Sequence, residues 1–501
     1  MNMIPYSNNR YFTLRKSNIL HWAMLFLFSF VLLLLLSPDS WLAHICGPRF
    51  DPAWFFTAGR AWAEGLTPYV DFADSKGPVL WLIYAIGYII SPTTYLGIFC
   101  QSVVYFTVSF HFIWLTARLF ANRRESLLVL FLMPAMLFFR AYLIETRAED
   151  FTLPWVFMGL YITCRSLMQP SLAFIRKGAF WLGFGMMFCM LVKWNVFFMM
   201  GGMALVVTGV SFQRKSSAAL IFGMLGMIVS ALPFIVYFMC KGNFGAFINE
   251  YFVSTYLITD TDTTAEMFKK FFTNLFANRL ETLKTIVLIT PFAGTWLFCR
   301  RFHISYWLIF AYVPFYIFLA FKAPFFHYCC TAVPFYLFLL IFLTRGCSRI
   351  LHKATPLTFG AALALIYIAT IAFCSINANL KFKHNAYWPE WNAIQQVMTK
   401  KNKPTFMFSG NDMGQGLLSR AIPGCRYWAL QSGATPEMVK ERMDAVKSGK
   451  LDFIVITQIP SDDFIPFIEK CGYRQCYGKV TENGKTTIKP LPLYEKAQHE
   501  R

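Results

Sequence analysis

Charge is scarce in this 501-residue chain: Asp, Glu, Lys and Arg make up only 14% of it, against about a quarter in ordinary soluble domains. Acidic residues are the scarcer sign, 26 against 46 Lys and Arg, for a net charge of +20. So thin a charge cannot keep a chain of this length and apolar content in water, which excludes a soluble enzyme and a disordered chain. Paired cysteine motifs are missing as well. None of the 13 cysteines falls in a CxxC spacing, and Cys100, Cys164, Cys189, Cys240 and Cys374 sit in or beside apolar runs. No zinc site or disulfide framework is implied. Internal repeats are absent too, which speaks against an inverted-repeat transporter.

Apolar residues fill the space, at 56% of the chain with 55 Phe and 14 Trp. Runs such as FLFSFVLLLLL mark a polytopic membrane protein. The basic excess then has a membrane explanation, and no nucleic-acid partner is implied. The expected fold class is all-α and polytopic, with about eleven transmembrane helices, interfacial helices and a small C-terminal extracytoplasmic α/β domain. Spans are expected near 19–36, 95–117, 126–144, 151–168, 178–192, 196–212, 217–240, 285–299, 304–321, 326–343 and 357–376. The first follows Arg10, Arg15 and Lys16 and lacks a small-residue cleavage site before Asp39, so it reads as a retained span.

Val79–Ile90 is apolar but only about twelve residues long, between Gly77-Pro78 and Ser91-Pro92, which suits an interfacial or re-entrant segment. Charge parity supports that choice. With 79–90 kept out of the count, every second connection carries a basic cluster: Arg10/Arg15/Lys16, Arg118/Arg123/Arg124, Arg165/Arg176/Lys177, Arg214/Lys215, Arg300/Arg301 and Arg345/Arg349/Lys353. Those ends are expected in the cytoplasm, with the N-terminus. Of the 14 acidic residues before Asn377 only Glu125 falls on that side. The opposite face receives two long loops, 37–94 and 241–284, and the C-terminal domain. An inner or plasma membrane location follows.

Hydropathy drops after residue 376, dividing a membrane domain (1–376) from a polar domain (377–501). In the latter, Thr405–Ser409, Phe453–Thr457 and Tyr473–Val480 read as strands. Thr435-Pro436 reads as an N-cap followed by Pro at N1, opening a helix to about Lys447, and Asn483-Gly484 as a hairpin turn. The Gly-rich SGNDMGQG after the first strand is the type of turn that cradles phosphate, a weak signal when it stands alone.

The first outer loop reads GPRFDPAWFFTAGRAWAEGLTPYVDFADSKGPVLW. It packs Asp51, Glu64, Asp71, Asp74 and Lys76 among Trp54, Phe55, Phe56, Trp62, Tyr69 and Phe72. Lying on the membrane as an amphipathic segment, it would hold its carboxylates at the level of lipid phosphates. An Asp after the first span, then G-x-x-P-Y-x-D, then Lys-Gly-Pro opening a short apolar helix, resembles the first extracytoplasmic loop of the integral-membrane glycosyltransferases of the C superfold. The protein O-mannosyltransferases and the transferase that adds aminoarabinose to lipid A are the nearest likenesses. Members take a sugar from a polyprenyl-phosphate carrier. The resemblance covers roughly 1–376 and implies interfacial helices between the first two spans.

The second outer turn, RAYLIETRAEDFTLPW, falls on the same face as Asp51 by parity. Glu145 and Glu149 share one side if the helix continues, with Arg147 and Asp150 beside them. The resemblance implies an acidic residue here facing the first-loop Asp; Glu149 fits the spacing best, with Asp150 and Glu145 as alternatives. Lys193, in FCMLVKWNVFF, is an ionisable group between apolar runs and a functional candidate on that ground. It resembles the family's carrier-contacting basic residue after the fifth span. The alternative is a snorkelling interfacial lysine. His327 and Tyr328, in FKAPFFHYCCTAVPF, resemble the family's late His-Tyr-then-Pro element.

The implied activity is that of a polyprenyl-phosphate-sugar-dependent glycosyltransferase, moving the sugar to a hydroxyl on a lipid, glycan or protein acceptor, with inversion. Asp51 is the candidate general base. Lys76 and Lys193, with Arg147, would stabilise the departing phosphate, and Tyr69, His327 and Tyr328 would line the substrate site. No cofactor is required, though Asp51 with Glu149 could hold Mg or Mn through oxygen ligands. The competing readings are a flippase for lipid-linked sugars and a ligase or polymerase using diphosphate-linked glycans.

Overall fold

The computed structural model describes residues 16–37, 39–40, 50–138, 148–254, 266, 273, 279–312, 332–374, 390–410, 420–429, 435–457, 462–482 and 485–497. Long apolar helices dominate: α1 (Lys16–Leu36), α4 (Leu96–Phe120), α5 (Arg123–Leu137), α6 (Leu153–Met168), α7 (Leu172–Val192), α8 (Trp194–Gln213), α9 (Ala218–Cys240), α11 (Arg279–Phe302), α12 (Tyr336–Gly346) and α13 (Pro356–Cys374). Six of the described helices are long and apolar enough by composition to cross a membrane, in 19–36, 96–120, 172–192, 196–213, 218–240 and 356–374. α9 and α13 keep apolar residues such as Leu225, Ile228, Leu357 and Leu365 exposed, as a lipid-facing helix does.

Helix–helix contact in the bundle relies on small residues. A Cβ at Gly183 would lie 2.0 Å from the Gly223 carbonyl oxygen, and one at Gly226 2.0 Å from that of Phe180. These glycines let the backbones of α7 and α9 touch, the small-residue packing that replaces the hydrophobic effect in lipid.

Between α1 and α4 stand α2 (Phe50–Ala63) and α3 (Pro78–Ile90). At 1.5 Å per residue each is about 20 Å long, too short for a hydrocarbon layer of about 30 Å. Val79–Ile90 therefore takes the non-spanning place that charge parity gives it. α2 differs from expectation. In place of a half-exposed segment on a membrane surface, residues 52–61 are buried on every side. The cause is the C-terminal domain, which covers the outer side of α2: the buried Arg60 guanidinium donates to the Ala421 carbonyl at 3.0 Å, Trp54 lies 5.0 Å from Trp428, and Lys403 pairs with Glu64.

That domain carries a five-stranded sheet in the order β2-β1-β3-β5-β4. β1 (Thr405–Phe408) pairs in parallel with β2 (Ile422–Pro423) and β3 (Phe453–Val455); β5 (Lys485–Lys496) runs antiparallel to β3 and to β4 (Tyr473–Glu482). Helices α14 (Trp391–Met398), α15 (Pro436–Lys447) and α16 (Phe464–Lys470) complete it. Thr435 caps α15 as its Oγ1 accepts from the Met438 N–H, with Pro436 at the first position. β2, α14 and α16 were not foreseen from the sequence; β5 is the strand that the expected hairpin turn requires, though Asn483 and Gly484 lie outside the described residues and Pro490 and Pro492 obscure its pattern.

Polar networks gather at two opposite rims. At one, Glu125 is fully buried, closes a capping box with Asn122, and accepts from Arg345 at 3.0 and 3.1 Å, while Arg124 donates to the carbonyls of Leu351 and Ala354. At the other, the ends of α7 and α9, the short turn at 148–152, the 64–77 loop and the C-terminal domain share one hydrophobic core.

Candidate active site

The site lies at this second rim, where three separate stretches of chain meet. α7 ends at Val192 and α8 begins at Trp194, so Lys193 sits alone between them in an extended conformation (φ −163°, ψ 134°). The break leaves the terminal carbonyls of α7 and the first amides of α8 without intrahelical partners. It also turns the Lys193 side chain toward the 148–152 turn, where its ammonium donates to Glu149 Oε1 at 2.6 Å. Only 13% of the lysine side chain and 5% of the glutamate side chain are exposed. A pair that enclosed is not a snorkelling lysine.

The turn presenting Glu149 is 3-10 in form over Ala148–Thr152, tied by Thr152 Oγ1 donating to the Glu149 carbonyl at 2.6 Å. Phe151 anchors it edge-on to Tyr84 and Tyr105. Asp150 is buried in the same turn. Residues 148–152 are 3-10 and not α-helical, and Glu145 and Arg147 lie outside the described residues. His327 and Tyr328 lie outside them too.

Lys76 comes to the same place through the backbone. The Gly77 N–H donates to the Val192 carbonyl at 3.2 Å, so the residue before Gly77 and the residue after Val192 are neighbours across one hydrogen bond. Only glycine allows this, because a Cβ there would lie 1.9 Å from the Leu191 carbonyl oxygen. The Lys76 ammonium lies 3.9 Å from Asp74 Oδ1 and 5.8 Å from the centre of the Phe55 ring. Asp51 is one helical turn before Phe55, on the same side of α2, and its side chain is exposed.

Tyr69 holds this loop in shape. Its φ of +67° is in the left-handed region, which costs a residue with a side chain about 1–3 kcal/mol. Full burial of the ring among Trp81, Phe238, Phe247 and Tyr251, and a hydrogen bond from its hydroxyl to the Lys76 carbonyl at 3.0 Å, offset that strain. Burial, then the nearby Tyr251 and Asp74, push the Tyr69 hydroxyl well above its ordinary pKa, so it stays a neutral donor. Tyr69 thus supports the loop that carries Lys76.

Sequence reasoning placed Glu250 in the long outer loop 241–284 without singling it out, and it missed Arg426 and Tyr427. Glu250 is 7% exposed and accepts from the Tyr427 hydroxyl at 3.0 Å and from Arg426 at 3.4 Å. A lone acid in the apolar stretch 244–254 was the one available signal; nothing in the sequence pointed from it to residues 426–427.

No family model matches the chain, and no curated protein does either. Solved structures do. ArnT from Cupriavidus metallidurans bound to undecaprenyl phosphate superimposes with a TM-score of 0.61 at 13% identity, over 97% of this chain and 99% of that one. The chain has the C superfold. The apo form of the same enzyme matches with a TM-score of 0.58 at 12% identity, covering 96% and 98%. An Archaeoglobus fulgidus oligosaccharyltransferase in complex with Zn and sulfate matches at 0.45 and 12% identity, over 94% of this chain and 73% of that one. The likeness runs over nearly the whole chain, beyond the residues 1–376 that the first-loop resemblance covered.

No group of three or more His, Cys, Asp or Glu side chains converges as a metal site among the described residues. Glu149, one of the two carboxylates named for such a role, is engaged by the Lys193 ammonium.

Proposed function

We propose that this protein transfers a glycosyl group from a polyprenyl-phosphate carrier to a hydroxyl acceptor at the membrane surface. The observation that supports the reading is the approach of the main chain at Lys76 to that at Lys193, joined through the Gly77–Val192 hydrogen bond, with Glu149 holding Lys193. Two cations at the edge of an apolar bundle match a donor whose phosphate is anionic and whose tail is hydrocarbon. The likeness to an ArnT structure bound to undecaprenyl phosphate supports the same donor class.

In this reading Asp51, exposed at the start of α2, accepts the proton of the acceptor hydroxyl. The hydroxyl oxygen forms the new bond to the anomeric carbon as the bond to the phosphate oxygen breaks, and the electron pair leaves with the phosphate. Lys76 and Lys193 stabilise the charge that collects there. A single displacement inverts the anomeric centre. Glu149 holds the Lys193 ammonium in place, with Asp150 in the same turn. Arg147 is the proposed third cation, and His327 and Tyr328 the proposed lining of the substrate site. The extracytoplasmic leaflet is the proposed side of transfer.

Purified protein incubated with polyprenyl-phosphate sugars and a panel of lipid and glycan acceptors should release polyprenyl phosphate. The Asp51→Asn variant should bind carrier and turn over at least 100-fold more slowly, the typical share of a general base. Carrier crossing the bilayer without release of polyprenyl phosphate would instead identify a flippase, and normal turnover by Asp51→Asn would remove that residue from the role.

A further inference from the structure

We propose that the C-terminal domain is a working part of the site: Arg426 and Tyr427 act as positioning residues that, through Glu250, fix the chain segments bearing Lys76 and Lys193. The inference rests on the proposed transfer reaction and assigns the outer domain a part in it.

The 426–427 segment touches both sides of the site. On one side the Ala73 N–H donates to the Arg426 carbonyl at 2.9 Å, three residues before Lys76. On the other, the Arg426 and Tyr427 side chains hold the buried Glu250 carboxylate. Glu250 belongs to a π-helical stretch, Ile248–Ser254, directly after the short α10 (Phe244–Phe247), and such wide turns are frequent at functional sites.

The next residue transmits the hold. The Tyr251 hydroxyl donates to the Met190 carbonyl, one of those that the break at Lys193 leaves without an intrahelical partner. The end of α7 is therefore gripped twice, at Met190 by Tyr251 and at Val192 by Gly77, and Lys193 follows directly. Trp194, just past the lysine, lies edge-on to Tyr251 with ring centres 6.1 Å apart. From the side of the outer domain, the buried Arg442 of α15 donates to the Tyr427 carbonyl at 2.6 Å, and Arg426 pairs with Glu441 at 3.6 Å. Polar contacts thus link α15 through residues 426–427 to Glu250, and the neighbouring Tyr251 to Met190, three residues before Lys193.

Lys403 supplies the control. It ties the same domain to Glu64 on the connection after α2 and touches none of these groups. Full-length Tyr427→Phe, Glu250→Ala and Lys403→Ala variants are compared for kcat and KM toward a polyprenyl-phosphate sugar, for unfolding midpoint, and for hydrogen exchange of peptides spanning 67–77 and 188–194. Tyr427→Phe and Glu250→Ala should lower kcat tenfold or more, with KM within about twofold, as expected when a charged hydrogen bond that places catalytic groups is lost. Glu250→Gln should recover part of that loss. Exchange at both peptides should rise in Tyr427→Phe and stay at the wild-type level in Lys403→Ala, whose kcat is also unchanged. Wild-type exchange at both peptides in Tyr427→Phe overturns the inference, as does an equal loss of kcat in Lys403→Ala. Faster exchange in a protein that transfers no sugar from any polyprenyl-phosphate donor would leave the positioning intact and remove the proposed reaction.

Discussion

At the scale of single residues, the enclosed Lys193–Glu149 pair makes the sharpest demand. Removing one partner of a buried ion pair strands the other charge in a poor solvent, at a cost of about 3–5 kcal/mol. Lys193→Met should therefore lower both unfolding midpoint and turnover. The double variant Lys193→Met/Glu149→Gln should regain much of the stability, since no stranded charge is left, and none of the activity, since the phosphate has lost its cation. Thermal unfolding in detergent beside a turnover assay checks this, and a double variant that regains activity would show that Lys193 serves packing alone. Lys193 was visible in the sequence because a lysine amid apolar residues requires a reason. Its partner was left open among Glu145, Glu149 and Asp150, because the choice depends on a turn that is 3-10 over Ala148–Thr152, which helical periodicity cannot show. Tyr427 and Glu250 lie 177 positions apart, and no local pattern joins them.

At the scale of elements, the close approach of the 64–77 loop to the end of α7 brings the main chain at Lys76 beside that at Lys193. The Lys-Gly-Pro sequence announced the start of α3, yet it gave no sign that Gly77 also meets Leu191. Adding one methyl at Gly77 forces the loop away from α7. We expect Gly77→Ala to cost about 1–3 kcal/mol of stability and to weaken carrier turnover several-fold, whereas Gly65→Ala, in the same loop but with open space around it, should leave turnover near normal despite its strained φ of +98°. Equal turnover in the two variants would mean that the contact is not what places Lys76. The connection between α2 and the outer domain has a pH signature of its own. Burial raises the Glu64 pKa, but the Lys403 ammonium, the Tyr88 hydroxyl and Arg60 outweigh it and hold it below the ordinary carboxylate value. Asp452 is likewise held low: burial raises it, and the Thr405 amide and hydroxyl with the Lys401 ammonium more than reverse that. Groups depressed on folding contribute stability above their unfolded pKa, near 4, and lose it as pH falls through the folded value. The outer domain should therefore keep its unfolding midpoint from neutrality down to about pH 5 and lose stability below about pH 4. Lys403→Ala should flatten part of that acid limb, a difference that unfolding scans across pH can read.

For the whole molecule, the question is which parts face the same compartment, since a site built from distant segments exists only if they do. Charge parity assigned the loops bearing Asp51, Glu149 and Lys193, together with the C-terminal domain, to one face, and the basic clusters to the other. The two rims of the structure sort the same way: Arg345 and Arg124 meet Glu125 and the 351–354 carbonyls at one end, while residues 69, 148, 192, 238, 251 and 428 share a core at the other. Parity could be read from the sequence because each span inverts the face, and a single wrong span would have reversed every later assignment. The role of the outer domain could not, because its cover over α2 joins surfaces hundreds of residues apart. The sorting predicts labelling. In a background without native cysteines, Val70→Cys and Tyr477→Cys place thiols on exposed positions of the first loop and of β4, and Ile350→Cys places one at the opposite rim. A membrane-impermeant maleimide added to intact cells should modify the first two and spare the third until the membrane is opened. Modification of Val70→Cys and Tyr477→Cys from opposite sides would separate the loop carrying Lys76 from the domain that steadies it. Modification of both only after opening would keep the site whole and place transfer in the cytoplasmic leaflet, contrary to the positive-inside assignment.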